Sequence, residues 1–365
     1  MPPKVAMLCT QMEFGGVQIR ALELKKYIEQ RGGVADIFFL YKKRSITENL
    51  NGIFCLIEGK PKGPLQVLIA IIKLLFTLRR GRYDAVIGFA HYSSPIACTL
   101  GLLAGIPARI ATQTNPPYRD KIGAIPLDWL CGVSGIYTSN IAASKSIADC
   151  FVSYPWRYRN KIKVIYNGIR KIVPRLSRSE ARSKLGVADD DILLLNCGRL
   201  SAQKNQAFLV DVVNHLPDKF KLKIVGEGEL HEDLISQIQR SPSQAKIELL
   251  GGFEPSSLGD ILIAGDVFLF PSHFEAFGLA MVEAMSVGLP VICSNYPALL
   301  EVGGDAVEAV SVTSAIEWAA EIKGLTEESR RRRASEQSLS RAGEFTIDAM
   351  CAGFLREARV LDRLQ

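Results

Sequence analysis

The sequence predicts an α/β protein with two parallel-sheet domains, and three observations support this prediction. The chain has 365 residues, which suits two domains of common size. Short apolar runs alternate with amphipathic stretches along most of its length, and the alternation restarts after a basic, proline-containing stretch at residues 169–182. Such alternation is typical of βαβ units, whose parallel strands are covered by helices on both faces.

The first domain is predicted over residues 1–170. Its first strand leads into the glycine turn Phe14-Gly15-Gly16 and an amphipathic helix over Val17–Arg31. The six predicted strands are Val5–Cys9, Ala35–Leu40, Ala85–Phe89, Ala108–Thr112, Gly135–Thr138 and Lys163–Tyr166.

The second domain is predicted over residues 171–346, with helices that include Gln206–Leu216 and Leu230–Arg240. Its predicted strands are Ile192–Cys197, Lys221–Val225, Lys246–Leu250, Val267–Phe270 and Pro290–Cys293.

The charge is distributed unevenly between the two halves. Residues 1–170 hold 23 Lys and Arg against 10 Asp and Glu, whereas the remaining residues hold 21 against 28. The first half is therefore expected to face an anionic partner. No base-reading motif is present, so we expect no nucleic acid, and an anionic lipid surface or a diphosphate-bearing substrate fits better.

An apolar helix over Leu65–Leu78 strengthens the case for lipid. It is about half the length of a bilayer span, and cations such as Lys60, Arg79 and Arg82 flank it. Packing on the sheet and lying in a membrane interface are both compatible with this pattern. The eight cysteines lack the spacing of a zinc site, and the first residues lack a secretory pattern, so a cytoplasmic protein is expected.

Two segments of the second half carry chemistry. In GRLSAQKN, Gly198 follows a strand, and Arg199 and Lys204 place two cations before a helix, where an anion is favoured. In PSHFEAFGLAMVEAM, Glu275 precedes the helix and Glu283 lies within it, with seven residues between the two acids. Side chains on a helix lean toward its N-terminus, so both acids could meet one ligand there.

These segments resemble the family-4 retaining glycosyltransferases, also called glycosyl transferases group 1. HFEAFGLAMVEAM is similar to the family's two-acid signature and GRLSAQKN to its phosphate-binding segment, and EFGGVQ, KVIYNGI, IVGEGEL and LLGGFE also have counterparts. The resemblance implies a GT-B fold, in which two Rossmann-like domains face each other across a cleft. It also implies that a C-terminal helix crosses back to the first domain. Here the returning segment is residues 347–365, and the helix within it is expected over Ile347–Leu361.

The resemblance also implies roles for single residues. Arg199 and Lys204 would bind the diphosphate of a nucleotide-sugar donor, Glu283 the ribose, and Phe253 would flank the base. Glu275 would hold the donor sugar, with the backbone of Phe277, Gly278 and Leu279, while Gly15 and Gly16 let the first loop approach the phosphates. Positive charge and helix dipoles would stabilise the leaving diphosphate, so no metal and no cofactor is expected.

One departure leaves an assignment open. The family commonly has a histidine in the loop that here reads Thr112-Gln113-Thr114-Asn115. Gln113 could hydrogen-bond the sugar but carries no proton at neutral pH, and His91, at another strand end, could substitute. A nucleotide-sugar 2-epimerase and a non-catalytic partner subunit remain alternatives. We expect a UDP-sugar donor, with a GDP-sugar second, a lipid-linked or glycan acceptor, and peripheral attachment to the inner face of the cytoplasmic membrane.

Overall fold

A computed structural model describes residues 2–12, 15–43, 51–117 and 124–364. The chain divides into two compact units. The first comprises Met1–Gly168 together with Thr346–Gln365, and the second comprises Ile169–Phe345. Each unit has its own sheet, and every described strand pair is parallel.

The first unit contains a seven-stranded sheet of order β3-β2-β1-β4-β5-β6-β7. Its strands are β1 (Lys4–Met12), β2 (Val34–Lys42), β3 (Ile53–Cys55), β4 (Ala85–Phe89), β5 (Ala108–Gln113), β6 (Ser139–Ala142) and β7 (Ile162–Val164). Its first helices are α1 (Gly16–Gln30), α2 (Pro64–Gly81), α3 (Ser93–Leu103), α4 (Ala124–Val133), α5 (Lys145–Asp149) and α6 (Trp156–Arg159).

The second unit contains a six-stranded sheet of order β10-β9-β8-β11-β12-β13. Its strands are β8 (Ile192–Cys197), β9 (Phe220–Val225), β10 (Ile247–Gly251), β11 (Val267–Phe270), β12 (Val291–Ser294) and β13 (Val307–Val310). Its helices are α7 (Arg178–Lys184), α8 (Gln206–Asn214), α9 (His231–Arg240), α10 (Leu258–Ala264), α11 (Leu279–Met285), α12 (Pro297–Gly303), α13 (Ala315–Gly324) and α14 (Glu328–Ala342).

Both sheets have a topological switch point, where neighbouring strands lead the chain in opposite directions across the sheet. In the first unit it lies between β1 and β4, and in the second between β8 and β11. Loops that follow the two strands diverge there and leave a crevice at the carboxyl edge, where α/β proteins bind ligands. The loops after β8 and β11 carry Arg199, Lys204 and Glu275, which the sequence analysis selected.

The last helix, α15 (Ile347–Glu357), belongs to the first unit. Its buried Met350, Cys351 and Phe354 join the core formed by β1, β2 and β4, and the Phe354 ring stacks on that of Phe89 at 6.0 Å. The predicted return of this helix to the N-terminal domain is confirmed. It ends earlier than the predicted Leu361 because Arg359 has a φ of +57°, which interrupts helical geometry.

One predicted strand is wrong. The strand expected over Gly135–Thr138 lies at Ser139–Ala142, because Gly135 has a φ of +87° and belongs to a turn. The Arg109 side chain holds this turn by donating to the carbonyl oxygens of Ile136 and Gly135, at 2.8 and 3.2 Å. The strands β3 and β13, which the sequence analysis missed, are short.

Candidate donor-binding site

The loop after β8 is held by close backbone contact with the loop after β9. Leu200 donates its amide to the carbonyl oxygen of Glu227 at 3.0 Å, and Gly198 donates to that of Val225 at 2.9 Å. Gly226 has a φ of +146°, and a Cβ added there would lie 1.9 Å from the carbonyl oxygen of Gly198. A side chain at 226 would therefore displace the loop that carries Arg199 and Lys204.

We expect Gly226→Ala to destabilise the protein by about 2 kcal/mol or more, because the added Cβ meets backbone at a φ that favours glycine. Gly186→Ala is the matched control, since Gly186 has a φ of +61° and nothing lies within 4 Å of its added Cβ. Urea denaturation measures both variants. Equal losses would show that the contact with Gly198 is unimportant and that only the backbone angle matters.

The loops after β8 and β11 are joined side by side. The side-chain amide of Gln203 donates to the backbone carbonyl oxygen of Phe274 at 2.8 Å. The backbone carbonyl oxygen of Gln203 accepts from the backbone amide of His273 at 2.9 Å. Asn205, with a φ of +54°, donates to the carbonyl oxygen of Pro271 at 3.3 Å and precedes α8. These bonds fix the position of Lys204, which lies between Gln203 and Asn205.

Lys204 and Glu275 form an ion pair in which Lys204 Nζ lies 2.5 Å from Glu275 Oε1. The side chains are 19% and 10% exposed, and the ammonium also lies 4.6 Å from the centre of the Phe270 ring. The ion pair joins positions 71 residues apart at the switch point of the second sheet. A cation can bind a phosphate and a carboxylate can accept hydrogen bonds from hydroxyl groups, so the predicted contacts of Lys204 and Glu275 with a donor are chemically compatible with this arrangement.

Glu283, on α11, lies close enough to Lys204 for the two charges to interact. Burial raises the pKa of its carboxyl from 4.5 to about 7, and Lys204 acts in the opposite direction. Lys204 thus contacts Glu275 directly and interacts with Glu283 through its charge. An ionised carboxylate accepts a hydrogen bond from a ligand hydroxyl, and a protonated carboxyl can also donate one. Glu283 could therefore bind a hydroxyl group in either protonation state.

Because the folded-state pKa of Glu283 is raised, the unfolded chain loses this proton first, and stability falls as pH rises from 4.5 to about 7. We expect Glu283→Gln to stabilise the protein at pH 8 by on the order of 2 kcal/mol, because the amide carries no buried charge. Thermal unfolding at pH 8 and near pH 4.5 tests this. The gain should vanish at the lower pH, and a gain at both values would contradict a titration of Glu283.

The other predicted residues of the second unit occupy different surroundings. Arg199 is exposed and pairs with Glu229 at 3.0 Å. Gly278, with a φ of +88°, precedes the first residue of α11, Leu279. The Phe277 side chain is buried edge-on against Phe345 at 5.2 Å.

Phe253 lines an open cavity of about 610 Å³ that Arg175, Leu185, Val225 and Ser256 also border. This space has room for a planar ring.

Sequence reasoning missed Ser272. It is fully buried directly after Pro271, and its hydroxyl has no hydrogen-bond partner among the described residues. Its carbonyl oxygen accepts from Ser294 Oγ at 2.5 Å. Its place immediately beyond a strand end was the signal that could have identified it.

In the first unit, Gly15 and Gly16 lie at the start of α1 and His91 follows β4, so all three are at the switch point of their own sheet. The His91 ring contacts that of Tyr92, with 4.3 Å between centres. Phe14, which the predicted turn includes, lies outside the described residues. The roles predicted for these glycines and for His91 stay predictions.

Gln113 belongs to a buried polar network that the sequence did not reveal. Its amide nitrogen donates to Asp128 Oδ1 and to the Tyr158 hydroxyl, both at 3.0 Å, and Tyr137 and Tyr158 donate to the same carboxylate. Burial raises the pKa of Asp128 in spite of these bonds. Gln113 thus has only its carbonyl oxygen left for a sugar, and its predicted contact with the donor stays a prediction.

Two parallel Rossmann-like sheets and a helix that returns to the first unit define the GT-B fold class. The chain belongs to the family-4 glycosyltransferases: residues 14–171 match the family described as Glycosyltransferase Family 4, and residues 177–341 match Glycosyl transferases group 1. Within the described residues, no group of three or more His, Cys, Asp or Glu could hold a metal ion.

Named relatives share part of the sequence. An Escherichia coli protein named UDP-Gal:alpha-D-GlcNAc-diphosphoundecaprenol alpha-1,3-galactosyltransferase is 30% identical over 249 residues, which are 63% of this chain and 62% of that protein. The alpha-monoglucosyldiacylglycerol synthase of Streptococcus pneumoniae is 33% identical over 168 residues, 44% of this chain and 38% of that protein. The match thus spans less than two thirds of the length of either relative.

The fold also has solved counterparts. The Anabaena protein HepE, crystallised in complex with UDP and glucose, has a TM-score of 0.82 at 19% identity, with 97% of this chain and 98% of that chain covered. At this identity the likeness concerns the fold.

Proposed function

We propose that the protein is a retaining, metal-independent glycosyltransferase that moves a hexose from a nucleoside-diphosphate donor to a lipid-linked or glycan acceptor in polysaccharide or glycolipid synthesis. A UDP-sugar is the favoured donor and a GDP-sugar the second. The observation that carries the proposal is the cluster of Lys204, Glu275 and Glu283 at the switch point of the second sheet. The names of the two relatives, a galactosyltransferase with UDP-Gal and a diphosphoundecaprenol in its name and an alpha-monoglucosyldiacylglycerol synthase, support this choice.

In this proposal Lys204 and Arg199 bind the donor diphosphate. Without a ligand the Lys204 ammonium is neutralised by Glu275. Arg199 forms an exposed pair with Glu229, which is weak enough for a phosphate to replace. Both cations would then stabilise the charge that develops on the diphosphate as it leaves, which is the part of the reaction that benefits most from fixed charges.

The two acids recognise hydroxyl groups. Glu275 accepts hydrogen bonds from the donor sugar, together with the backbone at Phe277, Gly278 and Leu279, and Glu283 binds the ribose. The base enters the cavity that Phe253 lines. The acceptor hydroxyl attacks the anomeric carbon on the face from which the diphosphate departs. The bond from that carbon to the diphosphate oxygen breaks as the new glycosidic bond forms, and the acceptor's proton passes to the leaving diphosphate.

A thermal-shift screen with UDP, GDP, ADP and TDP tests the donor, because a ligand that binds only the folded state raises the melting temperature. UDP should give the largest shift. Turnover of the matching radiolabelled nucleotide sugar, with and without a lipid acceptor, then tests transfer. A chain that no diphosphate stabilises, and that transfers no sugar, would overturn the proposal.

We also propose that the first unit attaches the protein peripherally to the inner face of the cytoplasmic membrane through α2. Ala70, Leu74 and Leu78 face the core, yet the opposite side of the helix is also apolar. Its exposed row comprises Leu65, Leu68, Ile69, Ile72 and Phe76. Among described residues no helix is long and apolar enough to cross a bilayer, and α2 has the two-sided character of a helix that lies in an interface.

Cosedimentation with liposomes tests this attachment. Wild-type protein should bind anionic vesicles at low salt and less at high salt, since Lys60, Lys62, Arg80 and Arg82 adjoin the apolar row. Phe76→Ser should weaken binding. Ile316→Ser, which removes an exposed apolar side chain from the second unit, should not. Equal and negligible binding to anionic and neutral vesicles would leave only the transferase proposal.

A further inference from the structure

The first unit has a cavity of about 280 Å³ away from its switch point, between the end of α4 and the short helix α6. Its lining includes Ser134, Gly135, Trp156, Arg157, Asn160 and Lys161. None of these residues belongs to the proposed donor site or to α2. With Val133, the lining combines two cations, two neutral polar side chains and apolar surface that includes one indole ring.

Within the part of the chain that the structure describes, neither cation at this cavity forms an ion pair. Lys161 donates to the carbonyl oxygen of Gly132 at 2.5 Å, and Arg157 is exposed. Arg109, which holds the Gly135 turn, adds a third positive charge behind the wall. Desolvation, Arg109 and Arg157 together lower the pKa of Lys161. The nearest acid on α4, Asp128, is buried and saturated by Gln113, Tyr137 and Tyr158.

The sequence reinforces this excess of positive charge. No Asp or Glu occurs between Asp149 and Glu180, whereas Arg157, Arg159, Lys161 and Lys163 fall within that stretch. Lys161 and Arg109 are partly buried and Arg157 is exposed, and an anion with several acceptor oxygens would offset the repulsion among these three cations. A phosphate group has that chemistry.

Exposed apolar side chains lie on, or next in sequence to, the helices that carry the cavity. Trp156 is 67% exposed, and Val152 is also exposed. On α4, the exposed Leu127 and Leu130 lie one turn apart, and Ser134 of the cavity follows Leu130 by one further turn. An exposed tryptophan next to cations is typical of a surface at the level of lipid headgroups. These side chains favour a phosphate attached to a lipid over one free in water.

We propose that this cavity binds the phosphate of an anionic glycerophospholipid, with Arg157 and Lys161 on the phosphate and Trp156, Leu127 and Leu130 in the interface. The site rests on the membrane attachment proposed above and adds a defined headgroup pocket to the diffuse attraction of α2.

The test compares two double variants that each remove two positive charges. Arg157→Ala with Lys161→Ala empties the cavity of its cations, whereas Arg159→Ala with Lys163→Ala removes exposed cations of the same stretch that do not line it. Binding is measured with vesicles of phosphatidylcholine containing about one third phosphatidylglycerol, without nucleotide sugar. The cavity variant should lose about tenfold more affinity than the control, because it loses charge-assisted hydrogen bonds as well as charge.

Equal losses in the two variants would overturn the pocket and leave diffuse attraction alone. Circular dichroism and the UDP-induced thermal shift verify that both variants fold and bind donor, so a failure of the pocket is distinguishable from a failure of the transferase proposal.

Tryptophan fluorescence supplies a second measurement. The chain has tryptophans at 129, 156 and 318, and Trp156 is the one expected to enter the bilayer interface. Its emission maximum should shift to shorter wavelength when vesicles bind. The shift should persist in Trp129→Phe and disappear in Trp156→Phe. Glycerol phosphate in solution distinguishes the source of the phosphate. Binding of this soluble anion as tight as that of the vesicles would contradict a lipid site, as would an unchanged spectrum with vesicles.

Discussion

Glu275→Ala is expected to abolish sugar transfer while nucleoside diphosphate still binds. In the proposed complex Glu275 contacts only the sugar, and in the unliganded structure its carboxylate neutralises Lys204 at 2.5 Å. Its removal frees this ammonium for the diphosphate, so UDP affinity should be unchanged or increased. The loss of transfer should exceed about 10³-fold, since a hydrogen bond that positions the reacting sugar is lost together with the geometry it imposes.

Two further variants make this result specific. Glu275→Gln retains the length of the side chain and an acceptor oxygen, so it should keep part of the activity. Glu336→Ala removes an acid from the surface of α14, where it pairs with Arg332, and should behave as wild type. Single-turnover transfer and calorimetric titration with UDP provide the two measurements. Wild-type turnover by Glu275→Ala would refute its contact with the sugar.

Lys204→Ala is expected to slow transfer by about 10²-fold, the loss typical of one group that stabilises a developing anion. It should also weaken UDP binding, because the ammonium contacts the diphosphate in both ground state and transition state. The substitution leaves Glu275, which is 10% exposed, without its cation, so some stability is lost as well.

Lys204→Met separates charge from packing. Methionine can keep an apolar stem over the Phe270 ring, which the ammonium approaches at 4.6 Å, but carries no charge. If the charge is what matters, Lys204→Met and Lys204→Ala lose transfer equally, and Lys204→Met unfolds at the higher temperature. A rate for Lys204→Met near that of wild type would remove this residue from catalysis.

The sequence predicts the second sheet well because its signals are local. Each predicted strand there overlaps an observed strand, since buried parallel strands are continuous apolar runs that need no distant information. Charged residues stand out in such a background, so Lys204, Glu275 and Glu283 could be selected without coordinates. The strand predicted over Gly135–Thr138 is wrong because Gly135 has a left-handed backbone and lies in a turn. The side chain of Arg109, 26 residues earlier, donates to the carbonyl oxygen of Gly135, and no local pattern reveals this contact.

By itself, then, the sequence determined the two alternating α/β series, the glycine loops and the acids and cations that follow particular strands, because periodicity and spacing express backbone geometry directly. The tertiary structure alone decided which of those groups meet. Lys204 contacts Glu275 because β8 and β11 are neighbours in the sheet. The amide of Gln113 donates to Asp128, and Arg199 forms an ion pair with Glu229. It also decided that one apolar side of α2 stays exposed. Contacts between distant positions depend on how strands are ordered in a sheet, and local pattern carries no record of that order.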